Sequence, residues 1–385
     1  MPTMPTQSVC HSIALFFVTL SLVQAPALQA ARLPSNDDGC YRVTLESPPS
    51  WISSGAWVKD LNALMLIDPL SNRVLLYDSK GLLKNQAQGS LTRIKFPSVV
   101  AGTSSGGYLL QTAGNKFVEL DGKLAITGER DLLRESKAAT GTIGSLYEWT
   151  LAGKYLVAYG SVRSPSYSTT REFKLGFFRS SLSSPTSIDF LLPHEDGDYY
   201  VLGFPYVTSI GSTAYFVLMS ERGSAIYAAA STDATASRII RLDAIQTDLG
   251  AAPKLQSDMS GPSNAEKLYK EIEGLSIPIG LYSLNDKLYL LTRKQVDSRT
   301  EWRLFKIDPS KREVMGSLVL PISNDAHHLS VVPTQDTMFI FEKGPVGDYG
   351  QQKTISMLAI PSSWVERLSI PKAADCSFLQ SKANP

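Results

Sequence analysis

The feature that most constrains this chain is a unit met six times along it: a polar turn followed by a short, strongly apolar strand. Lys59-Asp60-Leu61-Asn62 leads into Ala63 to Asp68, and Ser104-Ser105-Gly106-Gly107 into Tyr108 to Thr112. Leu151-Ala152-Gly153-Lys154 leads into Tyr155 to Gly160, and Ser209-Ile210-Gly211-Ser212 into Thr213 to Met219. The last two are Leu284-Asn285-Asp286-Lys287 before Leu288 to Thr292, and Pro333-Thr334-Gln335-Asp336 before Thr337 to Glu342. Gly, Asn, Asp and Ser between runs of Val, Ile, Leu, Tyr and Phe are the signature of short strands joined by tight turns. Helical periodicity is scarce.

Each apolar run is followed by another strand-like run, which predicts blades of four strands. The third strands are read at Arg73 to Asp78, Lys116 to Asp121, Phe173 to Arg179, Ala225 to Ala230, Trp302 to Asp308 and Thr354 to Ile360. Fourth strands are read at Thr186 to Leu192, Arg238 to Asp243, Val314 to Leu320 and Val365 to Ile370. A lone four-stranded sheet exposes two faces and two edges and is marginal by itself. Six such sheets packed radially bury one another's faces and leave only short edges. The predicted fold is therefore all-β, a six-bladed β-propeller of four-stranded antiparallel blades. Tyr41 to Glu46 is a spare strand before the first blade, and pairing it beside the last blade would seal the ring.

With stretches such as Leu66-Ile67-Asp68-Pro69-Leu70-Ser71-Asn72-Arg73, the chain resembles the broad superfamily of bacterial six-bladed β-propellers from Tyr41 to Ile370. The resemblance is one of repeat shape. It implies a fold and brings no family residues with it. One segment breaks the repeat: about 245–278, between the fourth and fifth units, is too long for an ordinary connection. Ser263 or Asn264 is placed to cap a short helix over Ala265 to Ile272, so a helical insertion is expected there.

The N-terminus reads as a signal peptide over residues 1–30. Ile13 to Val23 is apolar or small throughout, and small residues follow at Ala25-Pro26-Ala27 and Leu28-Gln29-Ala30. The expected mature part, 31–385, is then a single domain outside the cytoplasm, secreted or periplasmic, without membrane insertion. It keeps Cys40 and Cys376, near its two ends; in an oxidising compartment a disulfide between them would staple the seam of the ring. A formal net charge of +1 and no basic cluster argue against a nucleic-acid partner.

Few residues point to chemistry. Gly102-Thr103-Ser104-Ser105-Gly106 matches the nucleophile-elbow pattern, but it fills a hairpin slot rather than a strand-to-helix turn. His194-Glu195-Asp196-Gly197-Asp198 is the densest acidic stretch, with Glu195, Asp196 and Asp198 as candidate metal ligands and a solvated loop as the default. The leading ends of the innermost strands are expected to form a channel mouth of Trp57, Tyr147, Tyr206, Tyr282 and His328. Aromatic walls with a few polar groups suit a protein, peptide or glycan ligand. The leading expectation is thus an extracytoplasmic binding or scaffold module. The alternative is a metal-dependent hydrolase or lactonase, with calcium as the cofactor it calls for and Glu148, His327 and His328 as its channel residues.

Overall fold

The structure, a computed structural model, describes residues 39–84, 91, 94–135, 141–163, 173–183, 188–195, 198–199, 205–220, 224–249, 274–296, 299–323, 326, 328–344, 355–371 and 376. The expected signal peptide, the helix over Ala265 to Ile272, His327 and Asp196 lie outside them.

Six antiparallel sheets follow one another along the chain. Their innermost strands are Ser54–Val58, Val100–Gly102, Thr142–Ala152, Val207–Ile210, Ser276–Leu284 and His328–Pro333. Each touches its neighbour in turn, and the sixth touches the first, so the sheets form a closed ring of blades. Blades 2, 3, 5 and 6 have four strands. Blade 4 adds the two-residue strand Asp198–Tyr199 beside Thr213–Ser220. Blade 1 shows three strands among the described residues, and Leu83 bridges to Tyr77 where a fourth would run.

The burial patterns explain why the second strands are so apolar. Ala63–Asp68 and Thr337–Lys343 are buried at every position, because both faces of the sheet are covered by neighbouring blades. Fourth strands sit at the rim, and Glu313–Val319 is mostly accessible to solvent. Buried apolar clusters therefore lie between blades rather than inside them. Phe177 of blade 3 stacks on Phe216 of blade 4 at 3.9 Å between ring centres. Trp57 of blade 1 stacks on Phe339 of blade 6 at 5.6 Å. Phe117 of blade 2 meets Trp149 of blade 3 edge-on at 5.1 Å, and the Trp149 indole donates to Gln111 Oε1 at 2.6 Å. Aromatic pairs of this kind add to the stabilisation from area burial alone.

The ring is sealed by the spare N-terminal strand. Tyr41–Thr44 pairs antiparallel with Ile355–Pro361, so blade 6 takes its outermost strand from the other end of the chain. Three further ties cross that seam. Cys40 and Cys376 form a disulfide with their Cα atoms 4.9 Å apart. Arg42 reaches Glu342 at 2.6 Å, with both side chains largely buried. Arg42 also donates to the carbonyls of Pro321 and Cys376 at 2.6 and 3.2 Å.

One strand expectation is corrected. Val365 to Ile370 supplies no fourth strand for blade 6; Ser362–Glu366 is a short helix, with Val365 fully buried. The strand Tyr41–Thr44 already occupies that edge, so the chain after Pro361 has no ladder to join. The Gly102–Gly106 segment is a hairpin turn: Thr103 N–H donates to the Gly107 carbonyl at 2.8 Å, and Gly106 takes a left-handed φ of 85°. No helix among the described residues is long and apolar enough to cross a membrane.

Candidate ligand-binding channel

Innermost strands have one neighbouring strand and one open side, so their side chains reach the ring axis. There they enclose a cavity of about 530 Å³, to which all six blades contribute. Its wall includes Trp57 and Tyr108 from blades 1 and 2, Glu148 from blade 3, Tyr206 from blade 4, Tyr282 from blade 5 and His328 from blade 6. Hydroxyl groups of Ser54, Thr150, Thr208 and Ser283 lie among them. Four of the five residues expected at the channel mouth are thus brought to one cavity. Tyr147 is not: it is 37% exposed and leans on Tyr159, with ring centres 6.1 Å apart. The ladder skips Tyr147 at a bulge, with Tyr159 opposite Glu148 and Gly160 opposite Leu146, so Glu148 lines the channel while Tyr147 is displaced from it.

The electrostatics of this wall follow from desolvation. Glu148 keeps some accessible surface, yet the channel atoms crowd it, and burial pushes its carboxyl up to about 8. Tyr206 is held well above the usual phenol range by burial, then by Tyr282 and Glu148. Tyr282 is raised by burial and then by Glu148, against a backbone hydrogen bond with Val331. These three groups sense one another across blades 3, 4 and 5. On the far side, burial pushes the His328 imidazole down to about 3, helped by Lys343 and Arg293. At neutral pH the wall therefore presents a protonated carboxyl, three phenols and an uncharged imidazole.

Behind His328 lies a buried assembly that the sequence did not signal. His328 stacks on Trp51 at 5.6 Å, and the Lys343 ammonium sits 4.5 Å from the centre of the Trp51 ring. Lys343 is fully buried and donates to the Ile52 carbonyl at 2.6 Å; burial brings its pKa down to about 7. This ties blade 6 to the segment leading into blade 1. A Lys closing the apolar run Thr337 to Phe341 is the one trace of it in the sequence. Tyr108, which donates to the Trp57 carbonyl at 2.8 Å, was likewise not foreseen.

The described residues of the channel do not suit calcium. That ion takes six to eight oxygen ligands, usually with several carboxylates. The cavity wall offers a single carboxyl, Glu148, and no group of three or more His, Cys, Asp or Glu converges anywhere among the described residues. Glu195 is exposed, and the side chain of Asp198 is outside the described residues. An imidazole held near 3 is also a weak general base at neutral pH, where catalysis favours a group titrating near the working pH.

No known family model matches the sequence, and neither does any curated protein. Solved structures do resemble the chain. A gluconolactonase from Xanthomonas campestris is 15% identical over 85% of this chain and 91% of that one, with a TM-score of 0.47. A member of the DUF4221 family from Bacteroides vulgatus is 9% identical over 84% and 95%, at 0.49. The calcium-binding protein regucalcin from Agrobacterium tumefaciens is 11% identical over 83% and 94%, at 0.43. Likeness at this level concerns outline, and the fold rests on the chain's own strand order and ring closure. On that ground the chain has the fold of a six-bladed β-propeller.

Proposed function

We propose that this propeller is an extracytoplasmic binding module that receives a protein segment, peptide or glycan in its axial channel. One observation carries the reading: Trp57, Tyr206 and Tyr282 converge with Ser and Thr hydroxyls on a cavity of about 530 Å³. Aromatic faces supply large contact area at low entropic cost, and the hydroxyls orient polar ligand groups. Blades packed on both faces hold these side chains in place, so little ordering is required on binding. A covalent seam between Cys40 and Cys376 suits an oxidising compartment, in keeping with export.

The test is capture of ligands from a peptide and glycan array by the labelled mature protein, with the Tyr206→Ala/Tyr282→Ala variant beside it. The variant is expected to keep its thermal transition and lose at least tenfold in affinity for whatever the wild type retains. Undiminished capture by the folded variant overturns the channel as the binding site.

A further inference from the structure

Buried carboxylates elsewhere in this chain all have partners. Glu342 takes Arg42 at 2.6 Å and the Ser356 hydroxyl at 3.3 Å. Asp68 accepts from Arg73 at 3.1 Å and from the backbone N–H groups of Ser50 and Ser71 at 2.9 and 3.1 Å. Asp308 takes Lys287 at 2.8 Å and the Ser310 hydroxyl at 2.6 Å. Glu148, half-buried on the channel wall, differs. Among the described residues nothing donates a hydrogen bond to its carboxyl and no cation pairs with it, although it is enclosed by the channel wall. Its carboxyl is half-buried and open to the channel rather than sealed in the core, and a channel-facing carboxyl without a protein partner calls for an explanation.

The surroundings of Glu148 narrow that explanation. The titratable groups facing it are Tyr206 from blade 4 and Tyr282 from blade 5, with Tyr159 opposite it in its own sheet. Among the described residues, Tyr108 and His328 complete the titratable groups of the cavity wall, and no Lys or Arg lines it. The cations nearest the channel act on His328 from blades 5 and 6, and Lys343 is occupied by the Ile52 carbonyl and the Trp51 ring. A positive ligand group would meet one carboxylate and aromatic rings, whose faces attract a cation. A negative one would meet no partner.

Resting on the binding role above, we propose that the channel selects ligands carrying an ammonium group, seated against the Glu148 carboxylate and walled by Tyr206 and Tyr282. The ammonium replaces the proton that Glu148 otherwise holds. Each binding event below pH 8 therefore releases close to one proton to the buffer. A lysine-type amine stays charged throughout, since it titrates near pH 10, whereas an N-terminal amine titrates near 8 and loses its charge above that.

The experiment uses four probes with the full mature chain, read by calorimetry and tryptophan fluorescence. Triglycine amide carries an N-terminal ammonium and Nα-acetyl-lysine amide a side-chain ammonium; acetyl-triglycine amide and cellotriose are neutral. At least one ammonium probe is expected to bind at least tenfold more tightly than acetyl-triglycine amide, and which one it is identifies the source of the group. Its affinity should rise about tenfold per pH unit while Glu148 is protonated; above about pH 8 it should level off for the lysine probe and fall for triglycine amide, whose own amine then loses its proton. Heats in phosphate and Tris should differ by the ionisation heat of about one proton. In the Glu148→Gln variant the ammonium preference and the pH slope should both vanish, while any neutral-probe binding stays. Because the pH slope and proton release are read on the wild type, they decide the matter even if the variant fails to fold. Binding of neutral probes without ammonium preference overturns the proposal and leaves the binding role standing. Ammonium binding that is flat with pH also overturns it. If none of the four binds, the channel reading falls and takes the proposal with it.

Discussion

Removing the Cys40–Cys376 bridge should lower the melting temperature by about 8 °C. The two cysteines are 336 positions apart, so the bridge closes almost the whole domain into one loop. In the chain-entropy model a loop of that length restricts the unfolded ensemble by about 19 cal/mol/K, or about 5.8 kcal/mol at 25 °C. A domain of roughly 350 residues has an unfolding entropy of about 0.7 kcal/mol/K near its transition, and the ratio sets the shift. The native side of the balance changes little. Tyr41–Thr44 keeps its ladder to Ile355–Pro361, and the Arg42–Glu342 pair remains. The Cys40→Ser/Cys376→Ser variant should therefore fold into the same ring and unfold earlier. Scanning calorimetry of both proteins without reductant measures the shift, and hydrogen exchange at Tyr41 to Thr44 shows whether the seam still closes. A drop of less than about 2 °C with that protection intact refutes the reasoning, because the unfolded chain would not feel the loop.

Two further outcomes bear on the seam and the channel. Glu342→Gln leaves Arg42 buried without its carboxylate, and breaking such a pair costs about 3–5 kcal/mol, to be read as a lower urea midpoint. His328 titrates near 3 when folded against 6.5 when unfolded, so the unfolded chain binds the extra proton between those values. Wild-type stability should accordingly fall relative to His328→Asn as pH drops from about 6.5 towards 3, and urea midpoints at pH 7.5, 5 and 3.5 that stay parallel would count against it.

Much of the fold was legible because blade packing writes itself into composition. A second strand covered on both faces is apolar along most of its length, so Ala63 to Ile67 and Met338 to Phe341 stand out as runs. The turns between innermost and second strands recur because every blade reverses there. Tyr41–Thr44 was recognisable as a strand without a blade of its own. The rim was harder to read, since exposed fourth strands carry little apolar signal. Val365 to Ile370 looked like such a strand and is partly helix, because whether it pairs depends on an edge already filled from the other end of the chain.

The channel was read in outline for a related reason. Trp57, Glu148, Tyr206, Tyr282 and His328 could be placed on innermost strands from the repeat alone, since phase within a blade determines which strands face the axis. Whether a residue points inward depends on single-residue register, which separates Glu148 from Tyr147. The Lys343–Trp51–His328 stack joins residues from opposite ends of the chain, and no local pattern announces it. By itself, then, the sequence determined the inner strands and the number of blades, which follow from local apolar periodicity, and the two cysteines available to the seam. Ring closure alone decided which side chains share the axis and which carboxyl goes without a partner, because both depend on contacts between strands far apart in sequence.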